Sequence, residues 1–362
     1  MESGSQLQIA VLPGDGIGVE VMDACLRVLE VLSARLALRF AWNKVAGGAN
    51  AYRQTGSAFT DGAMRACEQA DAILFGAMGL PDVRYPDGTE IAPQLDIRVH
   101  LELYAGVRPI RALPGLPPVL SDARAEAIDL VILREQTEGL YWSRGRGVMQ
   151  DANTALDSMR ITRGGCERVF EYAFQLARTR RARGRPGKVT CVDKAGVLLS
   201  QAFMHRVFAD VSTRHADAAS DYCNVDAMAL NLVRQPWAYD VLVTENMFGD
   251  ILSDLAAGLI GGMGLAPSGD IGDTHAMFQP CHGTAPDIAG TGKANPIAMF
   301  LSAAMMLDWL GERHRDAKLG EGARLLEDAV RKALADGRAK PFEFGGTAGT
   351  REITDAVLAR IA

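Results

Sequence analysis

Two aspartates four residues apart, Asp250 and Asp254, lie in the run Asn246-Met247-Phe248-Gly249-Asp250-Ile251-Leu252-Ser253-Asp254. In a helix that spacing projects both carboxylates from one face. Like charges so placed repel by roughly a few tenths of a kcal/mol. A hard divalent cation with oxygen ligands would remove the repulsion. On spacing alone, a solvated helix face is also open to the pair. Apolar Phe248, Ile251, Leu252 and Leu255 around it argue for partial burial and hence for a site. Asn246 and Gly249 stand where a helix cap and a close ligand approach belong.

Other side chains able to do chemistry are dispersed. Asp226 lies in the apolar stretch Val225-Asp226-Ala227-Met228-Ala229-Leu230, where it could be a cap, a salt-bridge partner or a ligand. Lys194 follows the strand-like Lys188 to Val192; there it is a surface lysine or, with its pKa lowered by burial and a nearby cation, a general base. Arg98, Arg108 and Arg134 suit bidentate carboxylate binding, and a dicarboxylate needs more than one arginine. Tyr141, seven residues past Arg134, could supply a phenolic proton. His100 reads as a surface residue. Pro13-Gly14-Asp15-Gly16-Ile17-Gly18 follows a strand, yet its spacing is not the G-x-G-x-x-G fingerprint, so no Rossmann domain is expected.

The elements that must position these groups alternate. Gln8 to Leu12, Asp71 to Gly76, Ile128 to Leu133, Lys188 to Val192 and Asp240 to Thr244 read as strands. Val21, Cys25, Val28, Leu29 and Leu32 recur on one helical face, and Glu167 to Arg180 and Pro296 to Leu310 are helical patterns. Loops are expected at Gly79 to Gly88, Leu113 to Pro118, Gly184 to Gly187 and Gly261 to Gly272. The alternation predicts an α/β fold with a largely parallel core sheet. The basic run Arg178, Arg180, Arg181, Arg183, Arg185 and Lys188 reads as a solvated helix terminus complementing the dipole, with an anion site as the lesser alternative.

At 362 residues the chain predicts two domains. A net charge of −6 argues against a surface built for nucleic acid or an anionic membrane. No apolar run nears the roughly 20 residues that span a bilayer, and the polar start, Met1 to Gln6, carries no signal-peptide core. The six cysteines are scattered without a CxxC pair, which fits reduced thiols in a cytoplasmic enzyme.

Taken in order, several motifs resemble the β-decarboxylating dehydrogenases, the isocitrate/isopropylmalate dehydrogenase family. They are Leu12-Pro13-Gly14-Asp15-Gly16-Ile17-Gly18, Leu103-Tyr104-Ala105-Gly106-Val107-Arg108-Pro109 and Arg134-Glu135-Gln136-Thr137-Glu138-Gly139. Val192-Asp193-Lys194-Ala195, Asn246 to Asp254 and His282-Gly283-Thr284-Ala285-Pro286-Asp287-Ile288-Ala289-Gly290 complete the set. The resemblance implies an isopropylmalate-dehydrogenase-like two-domain fold with a non-Rossmann NAD site. Residues 1–103 and 261–362 would form the NAD-binding domain, and 104–260 the dimerisation and metal/substrate domain. It implies a homodimer with a shared active site and a small 2-hydroxy acid as substrate. Asp250 and Asp254 of one subunit, with Asp226 of the other, would hold Mg²⁺ or Mn²⁺. Arg98, Arg108 and Arg134 would bind the malate moiety, Lys194 would take the hydroxyl proton, and Tyr141 would protonate the enol carbon. The loop His282, Gly283, Thr284, Ala285, Pro286, Asp287, Ile288 to Asn295 would bind the cofactor, with Asp287 favouring NAD over NADP and Asn295 reaching adenine.

The chain also departs from the pattern. Gly106 and Gly196 replace asparagines, Gln279 replaces a frequent Glu, Val19 replaces a Pro, and Gln136 stands where Asn or Leu is usual. Gln94 and Leu95, four and three residues before Arg98, make a half-polar seat for the group on C3 of the substrate. The expected activity is NAD- and metal-dependent oxidative decarboxylation of a 3-substituted malate, as in 3-isopropylmalate dehydrogenase. Tartrate, D-malate or another malate analogue is the alternative substrate, and a catalytically silent regulatory homologue is the alternative of a different class.

Overall fold

The computed structural model describes residues 6–361; Met1 to Ser5 of the polar start lie outside them. Ten strands form one sheet: β1 (Leu7–Gly14), β2 (Phe40–Lys44), β3 (Ala72–Ala77), β4 (Ala105–Arg111), β5 (Asp129–Glu135), and, past a small hairpin, β8 to β12. The hairpin is β6 (Val148–Asp151) with β7 (Thr154–Leu156). The later strands are β8 (Val189–Asp193), β9 (Ser220–Asn224), β10 (Val241–Thr244), β11 (Pro267–Ile271) and β12 (Ala276–Pro280). Their spatial order is β2-β1-β3-β12-β11-β4-β5-β10-β8-β9.

Among the described residues eleven α-helices surround the sheet. Five precede or follow the early strands: α1 (Ile17–Leu36), α2 (Ala49–Thr55), α3 (Asp61–Glu68), α4 (Pro93–His100) and α5 (Arg163–Ala182). Then come α6 (Leu199–Thr213), α7 (Val225–Arg234), α8 (Asn246–Leu259), α9 (Ile297–His314), α10 (Ala317–Ala335) and α11 (Thr350–Ile361).

The apolar patterns account for these elements. All six residues of β3 are buried, as expected of a strand covered on both faces. On α1 the residues that recur at helical spacing, Val21, Cys25, Val28, Leu29 and Leu32, are all buried. The expected strands and helices fall within a few residues of their observed bounds. The sheet is parallel at both flanks but antiparallel through its middle, where β12-β11-β4-β5 pair head to tail. The antiparallel turn brings the start of β4 beside the end of β5, with Gly106 opposite Arg134.

Three local expectations need correction. Gly261 to Gly272 is not a free loop: Pro267–Ile271 is the wholly buried strand β11, held by pairing on both sides rather than by an apolar run of its own. The cap of α8 is Glu245, whose carboxylate accepts from the N–H groups of Met247 and Phe248; Asn246 is the first helical residue. The basic run at the end of α5 reaches solvent as expected at most of its positions, and the exception is Arg180. Arg180 points inward, donating from Nε to Asp240 at 2.5 Å and from Nη2 to Asp129 at 3.0 Å. Arg178 and Arg181 both pair with Asp217, Arg183 with Asp308, and Lys188 with Asp221. All six cysteines are free thiols, and no helix among the described residues is long and apolar enough to cross a membrane.

Candidate active site

The parallel strands β5, β10 and β8 end on one edge of the sheet, and the chemistry-bearing residues gather there. Such carboxyl edges are where open α/β sheets place ligands. Arg134 ends near the tip of β5, Arg108 lies on the adjoining β4, and α8 leaves from the tip of β10. A cavity of about 290 Å³ opens between them. Arg98, Arg108, Arg134, Tyr141, Asp250 and Asp254 line it, and so do Gln94 and Leu95 from α4 and His282 and Gly283 from the expected cofactor loop. Cys281 also lines it, a thiol that sequence reasoning did not single out.

Gly249 does allow a close approach, though to a side chain rather than to a ligand. A Cβ there would lie 2.7 Å from the Cβ of Arg134, so α8 can rest on that arginine only without one. The guanidinium is then gripped from the helix. Asn246 Oδ1 accepts from Nε at 2.9 Å and from Nη2 at 2.7 Å, while Nη1 pairs with Asp250. Asp250 also accepts from the Tyr141 hydroxyl at 2.6 Å, and the Arg134 guanidinium lies over the Tyr141 ring. Arg108 reaches Asp254 at 3.9 Å.

The two carboxylates differ electrostatically. Burial pushes Asp250 up, but Arg134, the Tyr141 hydroxyl, Arg108 and Arg98 outweigh it and hold the carboxyl below its ordinary value. Asp254, where burial and the Asp250 charge outweigh Arg108, is raised. Burial and the hydrogen bond to Asp250 push the Tyr141 phenol up to about 12. It therefore keeps its proton at neutral pH.

Lys194 and Asp226 stand apart from this cavity. They pair with each other, Lys194 after β8 and Asp226 in the first turn of α7, and neither lines the space that Asp250 and Asp254 share. The hydrogen bond from Lys194 lowers the Asp226 carboxyl. A Cβ at Gly196 meets nothing within 4 Å. Ile251, beside Asp250, is 60% exposed, and Leu230 of α7 is 55% exposed.

The isocitrate/isopropylmalate dehydrogenase family model matches residues 8–357. The chain belongs to that family. It is 40% identical, over 98% of each chain, to the 3-isopropylmalate/3-methylmalate dehydrogenase of Methanocaldococcus jannaschii. With the homoisocitrate dehydrogenase of that organism it shares 38% identity over 97% of each chain. The crystal structure of isocitrate dehydrogenase from Methylococcus capsulatus superposes with a TM-score of 0.85 at 35% identity, covering 98% of this chain and 99% of that one. As a family member the protein is an enzyme, a decarboxylating hydroxy-acid dehydrogenase.

In this dehydrogenase the glycine-rich turn after β1 carries no dinucleotide fingerprint; it packs against the expected cofactor loop. The Ile17 N–H donates to the Thr284 carbonyl at 2.8 Å, and the Thr284 hydroxyl donates to Gly79 O at 2.7 Å. His282 Nε2 is buried without a partner, and burial lowers the imidazole pKa, so the ring is neutral. Asp287 and Gly283 are exposed along the loop. Asn295 is buried and engaged: its amide donates to Glu343 at 2.5 Å and its oxygen accepts from the Ile297 N–H at 3.1 Å.

Proposed function

We propose that the enzyme oxidises and decarboxylates a 3-substituted malate, using NAD⁺ and Mg²⁺ or Mn²⁺, at a site completed by a second copy of the chain. The observation that carries this reading is the joining of Asp250, Tyr141 and Arg134 in one cavity with Arg98, Arg108 and Asp254. It unites a hard-cation face, a proton donor and cations for two carboxylates.

The residues fit the groups the reading requires. Asp250 and Asp254 offer oxygen donors on one helix face, as a hard cation needs. Among the described residues no cluster of three or more His, Cys, Asp or Glu within one chain could hold a metal. Asp226 pairs with Lys194 outside the cavity, and the reading has the partner supply both. Exposed Ile251, Leu230 and Val233 supply an apolar rim for that contact. For NAD⁺, the orphaned His282 Nε2 offers a hydrogen bond, and the exposed Asp287 suits a ribose 2′-hydroxyl while repelling a 2′-phosphate. Residues 1–103 with 261–362 would carry this cofactor loop, and 104–260 the dimer contact and most of the metal site. The Asn295 side chain is already satisfied, so contact with adenine would fall to its backbone.

NAD⁺ held along the loop of His282 to Asn295 would supply the hydride acceptor, and a cation held by Asp250, Asp254 and the partner's Asp226 would supply Lewis-acid polarisation of the substrate. Lys194 of the partner subunit takes the hydroxyl proton, with the Asp226 carboxylate paired beside it. Arg98, Arg108 and Arg134 hold the carboxylates and keep the one on C3 oriented for loss as CO₂. The C2 ketone has to form first, because it is the electron sink for that loss. Tyr141 then donates its proton to C3.

The C3 pocket supports a second reading of the substrate. Gln94 Oε1 is buried at this wall with no hydrogen-bond partner, and Glu90 lies beside it. An apolar isopropyl group would leave that oxygen unsatisfied, whereas a hydroxyl would donate to it. NADH production with Mn²⁺ should be measured as kcat/KM across isopropylmalate, D-malate, tartrate and isocitrate. No turnover of any of these would overturn the reading. Gln94→Leu is expected to move the preference toward apolar C3 groups by about tenfold or more, and an unchanged ranking would show that Gln94 does not face the substituent.

A further inference from the structure

Asp270 is a fully buried carboxylate on β11 that the roles described so far leave unused. Sheet register explains what surrounds it. Asp270 faces Gly106 across β4, Gly106 faces Arg134 across β5, and Ser268, two residues before Asp270, faces Gln279 across β12. Side chains two apart on a strand share a face. Gln136, two past Arg134, and Gln279 therefore project to the same side of the sheet as Asp270.

Both amides meet its carboxylate, and so does Arg98. Asp270 Oδ2 accepts from Arg98 Nε at 2.9 Å and from Gln279 Nε2 at 2.7 Å, while Oδ1 accepts from Gln136 Nε2 at 2.6 Å. Arg98, Gln136 and Gln279 are themselves buried. A Cβ on Gly106 would lie 2.1 Å from Gln136 Nε2, so Gln136 can cross to Asp270 only because position 106 carries no side chain. Three departures in the sequence, Gly106, Gln136 and Gln279, thus form one connected unit around Asp270. Burial raises the Asp270 carboxyl, but Arg98, Arg108 and Gln136 outweigh it and it stays ionised.

We propose that Asp270 is a positioning residue for substrate binding, fixing the plane of the Arg98 guanidinium through Nε so that its two Nη groups are presented to the carboxylate of the substrate. Gln136 and Gln279 hold Asp270 in turn. The guanidinium is a rigid planar fork, so one anchored nitrogen sets the direction of the other two. An arginine with free torsions would bind the same carboxylate at a larger entropic cost. The proposal rests on the reading of Arg98 as a substrate ligand.

The test is a double-mutant cycle on the intact dimer, with KM for the hydroxy acid, KM for NAD⁺ and kcat read separately. Asp270→Ala is expected to raise KM for the hydroxy acid about tenfold or more, with kcat changed less and KM for NAD⁺ unmoved. Asp270→Asn should restore most of the loss. Its oxygen can still accept from Arg98, and its amide can donate to Gln136 Oε1, which is buried without a partner. In an Arg98→Met background, Asp270→Ala should add little. If Arg98→Met leaves KM unchanged, the reading of Arg98 fails. If Arg98→Met raises KM and the two effects simply multiply, or if Asp270→Ala lowers kcat at constant KM, Asp270 does not act through Arg98 and the proposal falls. Should Asp270→Ala not fold, Asp270→Ser keeps a polar group too short to reach Arg98 and carries the same cycle.

Discussion

Tyr141 and Asp250 share one hydrogen bond, and that bond sets what each can do. Burial and the neighbouring carboxylate push the phenol up to about 12, so the protonated, donating form prevails through neutral pH. Tyr141→Phe keeps the ring over which Arg134 lies but removes the proton. The expected result is a fall in kcat of about a hundredfold or more, with KM for substrate little changed and protonation at C3, read by solvent deuterium incorporation, becoming slow. An unchanged kcat would remove Tyr141 from the proton transfer. Asp250→Asn tests the other end of the bond. Asn246 continues to hold Arg134 through Nε and Nη2, so the local fold should survive while one proposed cation ligand is lost. Metal-dependent NADH production is expected to fall to background with the circular dichroism spectrum and the oligomeric state unchanged. Substantial residual activity would count against Asp250 as a ligand.

Helix α5 is tied to the sheet by a buried charge network rather than by apolar packing alone. Arg180 joins Asp129, the first residue of β5, to Asp240, just before β10, and both carboxylates are buried. Arg180→Ala leaves Asp240 with backbone N–H donors alone while Asp129 keeps Arg111 and Arg185, so the expected cost is that of one broken buried pair, about 3 kcal/mol. Urea denaturation reads this directly, and a loss within the experimental scatter would show that the site relaxes to admit water. The inward turn of Arg180 was partly legible in the sequence. Ala173, Ala177 and Arg180 lie on one helical stripe, and the first two are buried. A run of arginines masks that stripe because most of its members do reach solvent. The strand β11 was not legible at all. Pro267-Ser268-Gly269-Asp270-Ile271 has the composition of a turn and becomes a strand only because β4 and β12 supply partners on both sides. Asp270 was missed for that reason, whereas Gly106, Gln136 and Gln279, which touch it, were visible as departures. The aspartate pair and the three arginines were easier to read, because their types and spacing state their chemistry before any fold is known.

At the scale of the whole molecule, one chain holds two clusters of chemistry-bearing residues that do not meet, and the proposed function reads them as halves of a shared site. Asp250, Asp254, Tyr141 and the arginines line one cavity, and the Lys194–Asp226 pair lies elsewhere on the surface. A two-fold dimer would bring each pair to the other subunit's cavity, since isologous contacts come in reciprocal pairs. The arrangement predicts complementation between two inactive variants. Asp250→Asn and Lys194→Ala homodimers each carry two defective sites. In a mixed dimer both lesions fall in the same site: the Asp250→Asn chain provides the damaged cation face, and the Lys194→Ala chain the missing base. The other site then has Asp250 from one chain and Lys194 from the other, both intact. Random reassortment of equal amounts makes about half of the dimers mixed, each with one working site of two, so roughly a quarter of the wild-type activity should return. Unfolding and refolding the mixture together, then measuring NADH production against the same proteins refolded separately, gives the comparison. Equal, background activity in both samples, with mixed dimers shown to have formed, would place Lys194 in the same subunit's site and end the shared-site reading.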